Sequence, residues 1–210
     1  MFADPNENLT GALLSHRDRL LNPPEGKDAL GYLTFIASVI TGAFVVLGKT
    51  PPVVVGGLAV ETYTAGGYTT LDVDMIAVDD ALAARVMDAL GFRKQPECRH
   101  YEHPNLEALV EFPAGPLDGS EDRITEVRLD DGGFLYVIGI EDIIIDRLSA
   151  YVHWDKRDEN SADAVQAVLL ILAQQDKIDR EYLRRAAAER GLSEGLADVL
   201  ARASALEKDR

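Results

Sequence analysis

The residues best placed to do chemistry in this 210-residue chain lie in two short blocks. Val53-Val54-Val55-Gly56-Gly57-Leu58-Ala59-Val60-Glu61 is followed by Thr70-Leu71-Asp72-Val73-Asp74. Side chains alternate along a strand, so Asp72 and Asp74 share one face and Leu71 and Val73 the other. Two carboxylates that close repel each other unless a cation lies between them. Hard oxygen donors suit magnesium. Gly56 and Gly57 lack a Cβ, so their backbone N–H groups can approach a phosphate. Together the blocks read as a metal–nucleotide site.

Particular elements must position these groups. Pro51-Pro52 keeps a helix from running into Val53–Val55, a β-branched run suited to a buried strand. Gly56-Gly57 ends that strand, and Leu58 to Tyr63 suits a short helix whose N-terminus faces an anion. Ala65-Gly66-Gly67 is a turn, and residues 70–78 read as a second strand. If the two strands pair, Asp72 and Asp74 lie beside the glycine turn.

Gly56-Gly57, Ala59-Val60-Glu61, Tyr63 and the Thr70-x-Asp72-x-Asp74 block resemble the DNA polymerase β-type nucleotidyltransferase superfamily, most closely its small AbiEii-like and uncharacterised prokaryotic branches. The similarity extends to Ile140–Ala150 and covers roughly residues 30 to 175. It implies an α/β (α+β) fold, a mixed sheet with flanking helices followed by a helical C-terminal region. It also implies a third carboxylate on a neighbouring strand, for which Glu111 in Leu109-Val110-Glu111-Phe112 is the candidate, where the family more often has Asp. Asp72, Asp74 and Glu111 would hold one or two Mg²⁺ ions and carry catalysis. Gly56, Gly57 and Thr70 would bind the nucleotide, joined by Arg147, where the family has Lys, and by Asp163. The implied reaction moves a nucleoside monophosphate from an NTP to a hydroxyl of RNA, protein or a small molecule, with a toxin role and a cognate antitoxin by analogy. The alternative is a catalytically silent binding or regulatory module. The bland alternatives are an exposed edge-strand acid at 111 and a salt bridge from Arg147 to Asp146 or Asp142.

Composition bounds the partners. Thirty-six acidic against 21 basic residues leave a net charge of −15, which opposes general nucleic-acid binding. The arginines of 180–190 are interrupted by Glu181 and Glu189 and read as a solvated face. The single cysteine, Cys98, points to a reducing cytoplasm, and the opening residues lack a signal-peptide profile. The uncharged run Ala29–Gly48 is long enough to span a membrane, but Pro51-Pro52 and the candidate catalytic strand follow at once; a buried helix is expected and no membrane partner. Cys98, His100 and His103 lack a fourth zinc ligand.

The remaining elements follow from caps and periodicity. Helices are expected over 8–21, 80–90, 141–153, 161–175, 179–190 and 193–207, with Asp79 or Asp80 and Ser193 as caps. Hairpins are expected over 99–112 and 124–138. Residues 1–140 should form the nucleotidyltransferase-like domain and 141–210 a helical one. Trp154 and His153 are expected to close the contact between them.

Overall fold

The computed structural model describes residues 5–96 and 99–208; Cys98 lies outside them. The chain divides into two compact units. The first comprises Met1–Leu58, Thr69–Leu117 and Ile124–Val137, the second Ala59–Tyr68, Asp118–Arg123 and Ile138–Arg210. The second unit thus adds two short segments from the N-terminal part of the chain to the helices expected after residue 140.

The first unit holds a seven-stranded mixed sheet. Its strands are β1 (Val53–Val54), β2 (Asp72–Ile76), β3 (Arg93–Lys94), β4 (His100–Glu102), β5 (Leu109–Glu111), β6 (Thr125–Arg128) and β7 (Phe134–Val137), in the order β3-β4-β5-β2-β1-β7-β6. β1 runs antiparallel to β2 and parallel to β7. β2 runs parallel to β5, whose other neighbour β4 is antiparallel to it. Both expected hairpins are present, β4–β5 and β6–β7. The second turns on Gly132 at φ +81°, where Leu129 N–H donates to the Gly133 carbonyl at 2.8 Å.

Helices α2 (Ala29–Val46) and α4 (Asp80–Leu90) pack on this sheet, and α1 (Pro5–Leu21) packs on both of them. The uncharged run is α2, capped by Asp28, which accepts from Gly31 N–H at 2.8 Å. By length and composition α2 is apolar enough to cross a membrane, yet 61% of it is buried inside the structure. It packs on α1 and β7, and Phe35, Ile36, Val39, Ile40 and Phe44 are at most 1% exposed. Burying such side chains contributes about 1.5–3 kcal/mol each, so α2 is the main core helix of this unit. Asp79 caps α4 through Leu82 N–H at 2.9 Å, and Gly91 ends it at φ +99°.

Helix α3 (Gly56–Thr64) follows β1 directly. The second unit continues with α5 (Ile140–His153), α6 (Ala162–Gln174), α7 (Arg180–Glu189) and α8 (Ser193–Lys208), close to the expected boundaries. Ser161 and Asp179 cap α6 and α7. Ser193 is the first residue of α8 rather than its cap, and the Leu192 carbonyl accepts from Leu196 N–H at 2.9 Å. Trp154, expected to be covered, is 84% exposed.

Candidate active site

β2 carries the two aspartates as the period of two requires. Val73 and Met75 are fully buried, while Asp72 and Asp74 alternate with them on the partly exposed face. β1 pairs with β2 through Val54 and Met75, and Val55 N–H continues the ladder to the Asp74 carbonyl at 2.9 Å. The chain then turns at Gly56, whose φ of +60° is a left-handed conformation that glycine adopts without strain. α3 therefore begins beside the aspartates.

The glycines are required by close packing as well as by conformation. A Cβ on Gly56 would lie 2.2 Å from Asp74 Oδ2, and one on Gly57 would lie 2.7 Å from Thr70 Oγ1. Thr70, 8% exposed, donates its hydroxyl to Asp72 Oδ1 in a short hydrogen bond. That bond fixes the rotamer of one carboxylate while leaving its second oxygen for another partner. Gly56, Gly57, Thr70, Asp72 and Asp74 thus form one connected group.

Glu111 joins the same face through the sheet. Its register partner on β2 is Asp74, and that of Leu109 is Asp72. Residues opposite one another on neighbouring strands point the same way. β5 lies between β2 and β4, so Glu111 is no edge-strand acid, and it is only 7% exposed. Its carboxylate is already engaged: Arg99 Nε lies 2.9 Å from Oε1. His100 Nδ1 lies 3.4 Å from Oε2 but makes no hydrogen bond. Arg99 was not singled out from sequence. The sequence carries no local signal for this contact, which follows from the register that sets His100 opposite Glu111.

The donor set of three carboxylates, two on β2 and one in register beside them, matches a hard divalent cation in chemistry. Among the described residues, however, no three acidic, histidine or cysteine side chains already converge closely enough to hold an ion. Asp72 and Asp74 would supply two oxygen ligands to such an ion, and Glu111, now paired with Arg99, a third. His100 lies on β4 and His103 follows it, where His103 Nδ1 accepts from Asn105 N–H at 3.1 Å.

Arg147 and Asp163 belong to the second unit, where the structure brings them together. Arg147 Nη1 lies 3.0 Å from Asp163 Oδ1 and 3.2 Å from Gln166 Oε1, and its Nε donates to Asp146 at 2.9 Å. The guanidinium is 20% exposed and faces two carboxylates. Burial pushes the Asp163 carboxyl up, with Asp155 and Asp146 adding to the shift and Arg147 opposing it. Of the two salt-bridge partners considered for Arg147, Asp146 is present and Asp142 is not. Asp142 instead accepts from Ser120 N–H at 2.9 Å and from the Tyr182 hydroxyl at 2.6 Å. Tyr63, on α3, donates its hydroxyl to the Ile138 carbonyl at 2.6 Å.

No protein-family model matches the chain, and no curated protein matches it. Among solved structures the chain is similar to the antibiotic-resistance factor ANT(2'')-Ia, determined in solution. The identity is 14% and the TM-score 0.47, over 96% of this chain and 95% of that one. A likeness of that size decides nothing about activity, which rests on the chain's own residues.

Proposed function

We propose that this chain is a Mg²⁺-dependent nucleotidyltransferase that moves a nucleoside monophosphate from an NTP to an acceptor hydroxyl. The supporting observation is the in-register carboxylate face of Asp72, Asp74 and Glu111 beside the glycine start of α3. Asp72, Asp74 and, after rearrangement, Glu111 would hold Mg²⁺, which supplies charge neutralisation for an in-line displacement at phosphorus. Gly56 and Gly57, at the N-terminus of α3, would bind the triphosphate through their backbone N–H groups. Thr70 keeps Asp72 in place, limiting reorganisation during the reaction. Asp74 or Glu111 would accept the proton of the attacking hydroxyl. Pyrophosphate leaves as that oxygen bonds to the α-phosphorus.

The charge of −15 favours a small molecule or a protein as acceptor over a polyanion such as RNA. The AbiEii-like resemblance adds a toxin held by an antitoxin as a biological setting. A second reading, a silent module that binds without transfer, is favoured by the engagement of Glu111 with Arg99 and of Arg147 with Asp146 and Asp163.

The test is a thermal-shift series with each NTP, with and without Mg²⁺, on the wild type, Asp72→Asn and Asp74→Asn. Transfer is followed as pyrophosphate release. Mg²⁺-dependent stabilisation by one NTP, lost in both variants together with pyrophosphate release, is the expected result. Stabilisation without release would favour the silent module. Equal release by the variants would sink the transferase.

A further inference from the structure

We infer that His103 is an acid-sensitive latch: its neutral ring closes the turn between β4 and β5, and a proton on Nδ1 opens that turn. The latch operates whether or not the chain transfers nucleotides.

The hydrogen bonding of the turn carries the inference. Residues 103–108 join Glu102, the last residue of β4, to its register partner Leu109, the first of β5. Within the turn, Asn105 N–H donates to His103 Nδ1 at 3.1 Å, and Leu106 N–H donates to the His103 carbonyl at 3.2 Å. A backbone N–H can only donate, so Nδ1 is bare and the single ring proton sits on Nε2. A second proton, placed on Nδ1, would set two N–H groups against each other and abolish the bond to Asn105.

The surroundings oppose that proton further. His103 is 7% exposed, so a charged ring could not be solvated where it lies. The Phe92 ring meets it edge-on, with centroids 5.2 Å apart. Nε2 closes on the backbone of Gly91, where a Cβ would lie 2.8 Å from it. The end of α4 thus brings two uncharged residues to the ring, while α1 brings a positive one. Arg17 Nε would lie 3.8 Å from the same Cβ position. His100, the other histidine of the hairpin, turns to Glu111 instead. Burial, followed by the charge of Arg17, holds the His103 ring below the usual histidine range. An unfolded histidine titrates near about 6.5. The stability that neutral His103 contributes is therefore present above about pH 6.5 and lost as pH falls from there through the folded value. The ring escapes by swinging into water, where it takes the proton freely and surrenders Asn105. The turn then loses its tie immediately before β5.

The experiment follows the full chain by NMR from about pH 8 to about pH 5, a window in which histidine is the side chain that ordinarily titrates. It reads the His103 ring shift and the hydrogen-exchange protection of the Asn105 and Leu106 amides. Protection should be steady above about pH 6.5 and then fall by up to about tenfold per pH unit, the limit for uptake of one proton. His103→Gln can keep an oxygen acceptor for Asn105 but cannot titrate, and its protection should stay flat. Arg17→Gln should move the ring's midpoint to higher pH and shrink the acid loss of protection. Constant protection in the wild type, or an equally steep fall in His103→Gln, overturns the latch. Should His103→Gln not fold, an acid loss that Arg17→Gln leaves unchanged overturns it.

Discussion

Gly56 is the residue on which the carboxylate group closes most tightly. In Gly56→Ala the new Cβ would meet Asp74 Oδ2 at 2.2 Å in a backbone held at φ +60°. The expected cost is about 1–3 kcal/mol, seen as a lower melting temperature together with loss of Mg²⁺-dependent stabilisation by nucleotide. A variant that melts like wild type would refute the close approach. In the second unit, Tyr182 donates to Asp142, which is 2% exposed. Tyr182→Phe leaves that carboxylate one donor short, at about 1–3 kcal/mol, measurable by denaturant unfolding. Burial, reinforced by the hydrogen bond to Asp142, pushes the Tyr182 hydroxyl up to about 12. An unfolded tyrosine titrates near about 10. Native chains therefore hold this proton where unfolded chains have lost it, and its contribution to stability is present below about pH 10 and lost as pH rises towards about 12. A spectrophotometric titration of Tyr182→Phe should lose one late-ionising tyrosine relative to the wild type, while Tyr101 and Tyr151, which burial also pushes up, remain. The pairing of Asp72 with Asp74 was legible from strand alternation alone. The grip of Arg99 on Glu111 was not, because it depends on β5 lying inside the sheet between β4 and β2. The glycines were expected as a phosphate approach; the structure adds that Asp74 and Thr70 already occupy the space a Cβ would need.

Helices were the most legible elements, because capping residues and apolar periodicity are local. Asp28, Asp79, Ser161 and Asp179 each accept backbone N–H groups at a helix start. Gly91 shows how a helix end can also be set by a neighbour. A Cβ there would lie 2.8 Å from His103 Nε2, in a backbone at φ +99°. Gly91→Ala should cost about 1–3 kcal/mol, whereas Gly26→Ala, also left-handed but with open space around it, should cost less; paired unfolding curves decide. β3 and the short 3₁₀ turn Glu121–Arg123 were not anticipated. β3 is two exposed basic residues, which read as loop until β4 provides its partner. The neighbouring of β2 and β5 was implied by the resemblance alone, since no local signal reaches across α4, β3 and β4.

Across the whole chain, net charge is the property that sequence states outright. At physiological salt the protein should not retard duplex DNA or duplex RNA in a gel-shift assay, and retention of both would contradict the acidic reading. Organisation was legible only in outline. The helical region after residue 140 is present, but residues 59–68 and 118–123 join it to form the second unit. The centre of the sheet carries a further consequence. β1 pairs with β2 on one side and with β7, on the order of eighty residues later, on the other. During synthesis on the ribosome, Val53–Val55 leaves the exit tunnel long before Phe134–Val137 exists. Until then this β-branched stretch has one open hydrogen-bonding edge at what will become the interior of the sheet. A nascent chain stalled before residue 134 therefore presents a sticky strand to its neighbours on the same messenger, and would depend on a chaperone to stay clear of them.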